Sequence, residues 1–235
     1  PMSIDLDGIN DYVSLGSIQD IIRDSFTVSH WFFIDDQSNI PGHWINGVIG
    51  ATNNTIYMGF LNTMKSYAWF KSNNDLSSHF GAIAMGGTTA SSSWGMLTYS
   101  MEKGGTGAQS TLRVYLNGQK LATVSSTSAA NHALFNMAGR NFYIGATDNG
   151  SPIQTLNGKV ADISLHTKTL SDALILEMYN NPNMDLRNTT DNNMVDDINN
   201  LSQYYRNYSS VFENLGNGSD GDNQGAGFLS THPQG

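Results

Sequence analysis

The sequence predicts an all-β chain: a two-sheet antiparallel β-sandwich with one short C-terminal helix and a polar C-terminal extension. Three observations predict it. Stretches with the two-residue period of half-buried strands recur from the start to about residue 166, split by clusters of Gly, Asn and Ser. Asn117-Gly118 supplies the positive φ angles of a tight hairpin turn. A convincing helical pattern occurs once, ahead of Asn181-Pro182.

In chain order, Phe26, Val28, Phe32 and Ile34 sit two or four apart with Thr27 and Ser29 between them, the pattern of a half-buried strand. Further strands are expected at 44–50, 55–61, 67–71, 79–85, 94–101 and 142–146. Leu112, Val114 and Leu116 share one face, with Arg113 and Tyr115 on the other; 111–116 should pair with 120–124 through the Asn117-Gly118 turn. Ala161, Ile163 and Leu165 alternate with Asp162, Ser164 and His166. Phe26, Val28, Leu112, Val114 and Ile163 are expected on the inner faces. A weaker helical turn is expected at 17–22. The one full helix has Ser171 as cap, Asp172 in its first turn and the spacing of a hydrophobic staple at Leu170 and Ile175. Leu174, Ile175, Met178 and Tyr179 form its apolar stripe, and Asn181-Pro182 stops it. Beyond Pro182 the texture turns polar. The chain thus divides into a sandwich, 1–182, and an Asn/Gly-rich extension or arm, 183–235.

Composition narrows the function. Hydrophobic residues at 39% suffice for a sizeable core, while charged residues at 13% are scarce. The polar surface must come from Asn, Ser, Thr and Gly. A net charge of −9 without a basic stripe argues against binding a phosphate backbone, because no counterion release would drive it. The absence of cysteine excludes disulfides and thiolate metal sites and favours maturation in a reducing cytosol. No signal-peptide pattern is visible, and no apolar run approaches the ~20 residues that cross a bilayer. The N-x-S/T triplets at Asn53, Asn188, Asn200, Asn207 and Asn217 read as chance in an Asn-rich chain.

Five motifs in order now align with a known family. Leu6-Asp7-Gly8-Ile9-Asn10-Asp11-Tyr12-Val13-Ser14-Leu15-Gly16 resembles the opening of laminin-G-like, concanavalin A-like lectin/glucanase jelly rolls. Ser25-Phe26-Thr27-Val28-Ser29-His30-Trp31 is similar to the strand that follows, Leu112–Gly118 to the family's hairpin, and Phe142-Tyr143-Ile144-Gly145 to its F-Y-I-G strand. Leu156–Val160 through Leu170-Ser171-Asp172 resembles the closing strand and helix. The resemblance implies the jelly-roll fold, frequent in phage and marine microbial proteins, and in some relatives a structural Ca²⁺ near the opening loop and closing strand. Asp7, Asp11 and Asp162 are the candidates for it. The family's closing aspartate falls on Ala161, however, and Asp and Asn also stabilise tight turns by bonding their own backbone. Turn chemistry is the preferred reading, so no cofactor is expected.

Catalytic patterns are missing. No E-x-D-x-E run occurs, and Asp35-Asp36, being adjacent, would point to opposite faces of a strand. Ser91-Ser92-Ser93 has no nucleophile-elbow context, and Gly104-Gly105-Thr106-Gly107 reads as a connection. Asn217–Asn223 lacks the closing Glu of a calcium loop. His30, His43, His79, His132, His166 and His232 lack metal-ligand spacing and read as scattered surface or rim residues. A non-enzyme is expected. Trp44 and Trp69 are the candidate sugar-stacking residues, whereas Trp94 reads as core. Tyr204, Tyr205, Tyr208, Phe212 and Phe228 are candidate interface anchors along the arm. The expected function is a non-catalytic virion structural protein, a capsid decoration or fibre-associated surface subunit with a lectin-like fold. The alternative is a carbohydrate-binding module of a larger secreted protein. Expected partners are other copies of itself, virion proteins and cell-surface glycans, with no nucleic acid and no membrane insertion. The expected place is the virion surface, alternatively the extracellular space.

Overall fold

The computed structural model describes residues 3–35, 43–50, 54–61, 66–71, 92–104, 110–126, 135–184, 201–206, 213–214, 222–224 and 227–229. The strand expected at 79–85 and the anchors Tyr208 and Phe212 lie outside the described residues.

Two sheets face each other. The first contains β1 (Ser3–Asp7), β3 (Phe26–Ile34), β7 (Trp94–Glu102), β8 (Ser110–Leu116), β9 (Gln119–Ser126) and β13 (Asn157–His166). Its main path runs β13-β3-β7-β8-β9, with β1 on the far edge of β13. The second contains β2 (Tyr12–Ser14), β4 (His43–Ile49), β5 (Thr55–Leu61), β6 (Ser66–Lys71) and the short strands β10 (Tyr143–Ile144), β11 (Thr147–Asp148) and β12 (Pro152–Ile153). Here β4 pairs with β5 on one side and with β10 and β11 on the other, and β10 pairs with β2. The described pairings are antiparallel except β4 with β11.

Strand periodicity places the core. Ile4, Leu6, Phe26, Val28, Phe32, Leu112, Val114, Ile163 and Leu165 from the first sheet meet Val13, Val48, Ile56, Met58, Phe60, Phe70 and Ile144 from the second. Removing each such side chain from water stabilises the fold by roughly 1.5–3 kcal/mol. All five positions expected on the inner faces are there. Asn117 and Gly118 have φ 53° and 74°, as the hairpin turn requires.

Three expectations need correction. Ala161 does not share the face of Ile163 and Leu165. A bulge between Ala161 and Ser164 inserts one residue, puts Asp162 at φ 44°, and turns Ala161 outward under a helix. His30 and His166 are not surface residues; both are fully buried. The strand expected at 142–146 is also shorter, because Gly145 turns the chain at φ 86° and Phe142 bonds Leu15 and Gly16 instead.

The helix α1 (Gln19–Ile22) is one turn, with Ile22 in the main core. The helix α2 (Asp172–Asn180) lies on the outer face of the first sheet. Ser171 caps it by accepting from the Leu174 amide at 3.2 Å. Leu170, Leu174, Ile175 and Met178 bury Trp31, Met96, Tyr115 and Ala161 beneath it, and Tyr179 stacks on Trp31. Tyr115 donates to Asp172 at 2.7 Å, and Lys120 pairs with the same carboxylate.

Four strands of the extension are described: β14 (Leu201–Arg206), β15 (Glu213–Asn214), β16 (Asp222–Gln224) and β17 (Gly227–Leu229). Within this chain, β14 pairs with the C-terminal half of β13, β15 with β14, β16 with β2 and β17 with β1.

Candidate functional site

With α2 packed on the outer face of the first sheet, the outer face of the second carries a row of aromatic residues among the described ones. Reading across neighbouring strands, Trp69 of β6 lies opposite Tyr57 of β5, Tyr57 opposite Gly47 of β4, Gly47 opposite Tyr143 of β10, and Tyr143 opposite Ser14 of β2. Strand spacing separates Tyr57 from Tyr143 by about 10 Å. Tyr57 faces outward, since its neighbours Ile56 and Met58 are core, and it is half-buried. Tyr143 lies on the outward side between Phe142 and Ile144 but is buried, 8% exposed, because the half-buried Tyr12 stacks on it with centroids 3.9 Å apart.

Gly47 is buried between the two tyrosines. A Cβ there would lie 1.9 Å from the Ile56 carbonyl oxygen, so no larger residue fits without moving β5. Behind Gly47, Asn46 points inward. Its Oδ1 accepts from the Gly145 amide at 2.6 Å, which leaves its Nδ2 to face His30 Nε2 at 3.2 Å. Nε2 must therefore accept, and the neutral ring carries its proton on Nδ1. Burial holds the His30 pKa down at about 3. Beside Tyr143, Asp148 accepts from the Asn141 amide at 2.8 Å and the Gly150 amide at 2.7 Å, shaping the turn. Burial first, then the hydrogen bond with Tyr12 and the Asp148 charge, raise the Tyr143 pKa, so its hydroxyl stays protonated.

The sequence-derived candidates fall as follows. Trp69 has the register position of the outward face, opposite Tyr57; Trp44 lies opposite the core residue Phe60, at the parity of the inward positions. The structure does not bring these two positions together. Tyr204 and Tyr205 lie opposite Ser164 and Ile163, and Phe228 opposite Ile4. Asp7 accepts from the amides of Ile9 and Asn10, and Asp11 accepts from the Asp7 amide at 3.1 Å, so both carboxylates brace their own turn. Burial, followed by the charges of Asp7 and Asp5, raises the Asp11 pKa. Asp7 is opposite Asn157, and Asp162 is five residues farther along the strand, roughly 16 Å away. Among the described residues, no three His, Asp or Glu side chains gather as a metal site. Sequence reasoning missed Tyr12, Tyr57, Tyr143 and Gly47. Tyr12 and Tyr143 stand inside the quoted motifs, but only strand register brings all four together.

The family model described as the Concanavalin A-like lectin/glucanases superfamily matches residues 7–176. Solved structures share the fold at low identity. A Bacteroides ovatus protein named as a candidate carbohydrate-binding protein superposes with TM-score 0.61 at 13% identity, over 97% of this chain and 59% of its own. The CBM40 of Ruminococcus gnavus IT-sialidase, bound to α2,3-sialyllactose, superposes with TM-score 0.54 at 12% identity, over 74% and 96%. A heptameric SAP-like pentraxin of Limulus polyphemus gives TM-score 0.52 at 11% identity, over 76% and 81%. A comparison with proteins of curated function finds no match.

Proposed function

Since the chain belongs to the concanavalin A-like lectin/glucanases superfamily, we propose that it is a non-catalytic carbohydrate-binding module whose platform is the outer face of the second sheet. The row Tyr57–Gly47–Tyr143, with Tyr12 stacked beside it, carries this reading. Aromatic faces pack on the C–H surface of a pyranose, and their hydroxyls offer it hydrogen bonds. The half-buried rings of Tyr57 and Tyr12 would do this, with Tyr143 buried as the support on which Tyr12 stacks. Asp148, the carboxylate beside Tyr143, accepts backbone amides with both oxygens, which suits a shaping role and not acid–base chemistry. The sialyllactose bound to the R. gnavus CBM40 and the carbohydrate-binding name of the B. ovatus protein agree with the class of ligand.

Binding to a broad panel of immobilised glycans tests the proposal. Tyr57→Ala combined with Tyr12→Ala, both at half-buried rings, should weaken the best ligand at least tenfold, about 1.4 kcal/mol. Undiminished binding by that variant would overturn the platform, and no binding to any glycan would overturn the function. A place on a virion surface, or another extracellular setting, concerns where such a module is mounted. Abundance in purified particles would test it.

A further inference from the structure

A second row crosses the outer face of the first sheet, on the opposite side of the molecule. Trp94 of β7 lies opposite Phe33 of β3, Phe33 opposite Lys159 of β13, and Lys159 opposite Asp5 of β1. Their parity is outward: Phe33 stands between the core residues Phe32 and Ile34, and Asp5 between Ile4 and Leu6. The parallel row two residues along, Met96–Trp31–Ala161, is buried under α2. The Trp94 row lies past it and stays half-buried.

The row is built, not merely adjacent. Trp94 meets the Phe33 ring edge-on with centroids 5.6 Å apart. The Lys159 ammonium sits 4.7 Å above the Phe33 ring centre, 2.7 Å from Asp35 and 3.9 Å from Asp5. The Asp35 and Asp5 side chains remain 37% and 45% exposed, while the Lys159 side chain between them is 18% exposed. Half-exposed rings flanked by a carboxylate–ammonium–carboxylate cluster are the chemistry that a sugar needs. The partly exposed Trp94 ring would take a C–H face with Phe33 supporting it from below Lys159, the carboxylates would accept hydroxyl protons, and the ammonium would donate to ring or hydroxyl oxygens.

We propose that Trp94, Phe33, Lys159, Asp5 and Asp35 form a second saccharide site, for a neutral sugar. Two carboxylates to one ammonium leave the cluster net negative, which repels uronates, sulfated sugars and sialic acid. The ligand class rests on the glycan-binding reading above; the location does not. The two rows face opposite ways across the thickness of a sandwich whose sheets pack about 10 Å apart, so one sugar residue cannot occupy both. The molecule is then bivalent and can bridge two glycan chains.

Titration calorimetry with soluble neutral hexaoses (cello-, laminari-, manno-, xylo- and chitohexaose) measures the number of sites. The whole chain should take two equivalents of the hexaose that binds. The Tyr57→Ala, Tyr12→Ala protein should take one. Asp5→Asn with Asp35→Asn, shape-preserving changes at partly exposed carboxylates, should weaken the remaining site at least tenfold with an unchanged far-ultraviolet signature. The Trp94 indole N–H resonance should shift on titration in the tyrosine variant. A single equivalent abolished by the tyrosine changes would overturn the second site and leave the first standing. Two equivalents insensitive to the Asn changes would overturn this location. No heat with any hexaose, and no binding on the broader panel, would overturn both readings.

Discussion

His30 makes the stability of the sandwich depend on protons. Its ring is fully buried between the sheets and its pKa is held at about 3, against an ordinary 6.5, because burial disfavours the charged form. As pH falls below 6.5 the unfolded chain takes up this proton before the folded one does. The contribution is complete above the unfolded value and is lost progressively from there towards pH 3. The slope from this one group is at most about 1.4 kcal/mol per pH unit. Asp172, held low mainly by Lys120, adds its own loss only below its ordinary 3.8. Urea unfolding of the whole chain and of His30→Phe between pH 4.5 and 7 measures the effect. The variant should start less stable at neutral pH, because Asn46 loses its acceptor, yet show a shallower decline. Parallel pH curves would mean that His30 is charged at no extra cost.

At the scale of elements, α2 depends on its first turn. Ser171→Ala removes the acceptor for the Leu174 amide and should lower stability by about 1 kcal/mol, read as a lower urea midpoint at unchanged m-value. This helix, its cap and the Asn117-Gly118 hairpin were legible in the sequence because each is encoded within a few consecutive residues. The bulge at Ala161–Ser164 was not: the apolar alternation reads straight through it, and only the face chosen by Ile163 against that of Ala161 betrays the extra residue. The candidate rows were not legible for a related reason. Tyr57 and Tyr143 come from strands far apart in sequence, as do Trp94 and Lys159, and register between distant strands is set by packing of the finished core. Trp44 and Trp69 illustrate the same limit, since residue type alone could not tell that their positions have opposite parity.

For the whole molecule, the extension matters as an edge cover. β17 runs along β1 and β16 along β2, and β14 occupies the part of β13 that β1 leaves open. Unpaired strand edges recruit other chains. Deleting residues 201–235 should therefore raise light scattering as concentration increases, while the far-ultraviolet signature of the sandwich persists; equal scattering from both proteins would show that these edges need no cover. The pairings of β16 and β17 could not be read from the sequence, because strands of three residues carry no periodicity to match. The geometry of β1 and β17 also has a mechanical meaning. The two strands are antiparallel with Ser3 opposite Leu229, so a load that pulls those points apart opens the ladder one rung at a time, as a zipper opens. Rungs broken singly yield at low force, whereas β3, held between β7 and β13 along its length, would have to shear many rungs together. Under tension the extension would pay out first as slack, and the sandwich with its two candidate rows would stay whole at the end of a lengthened tether.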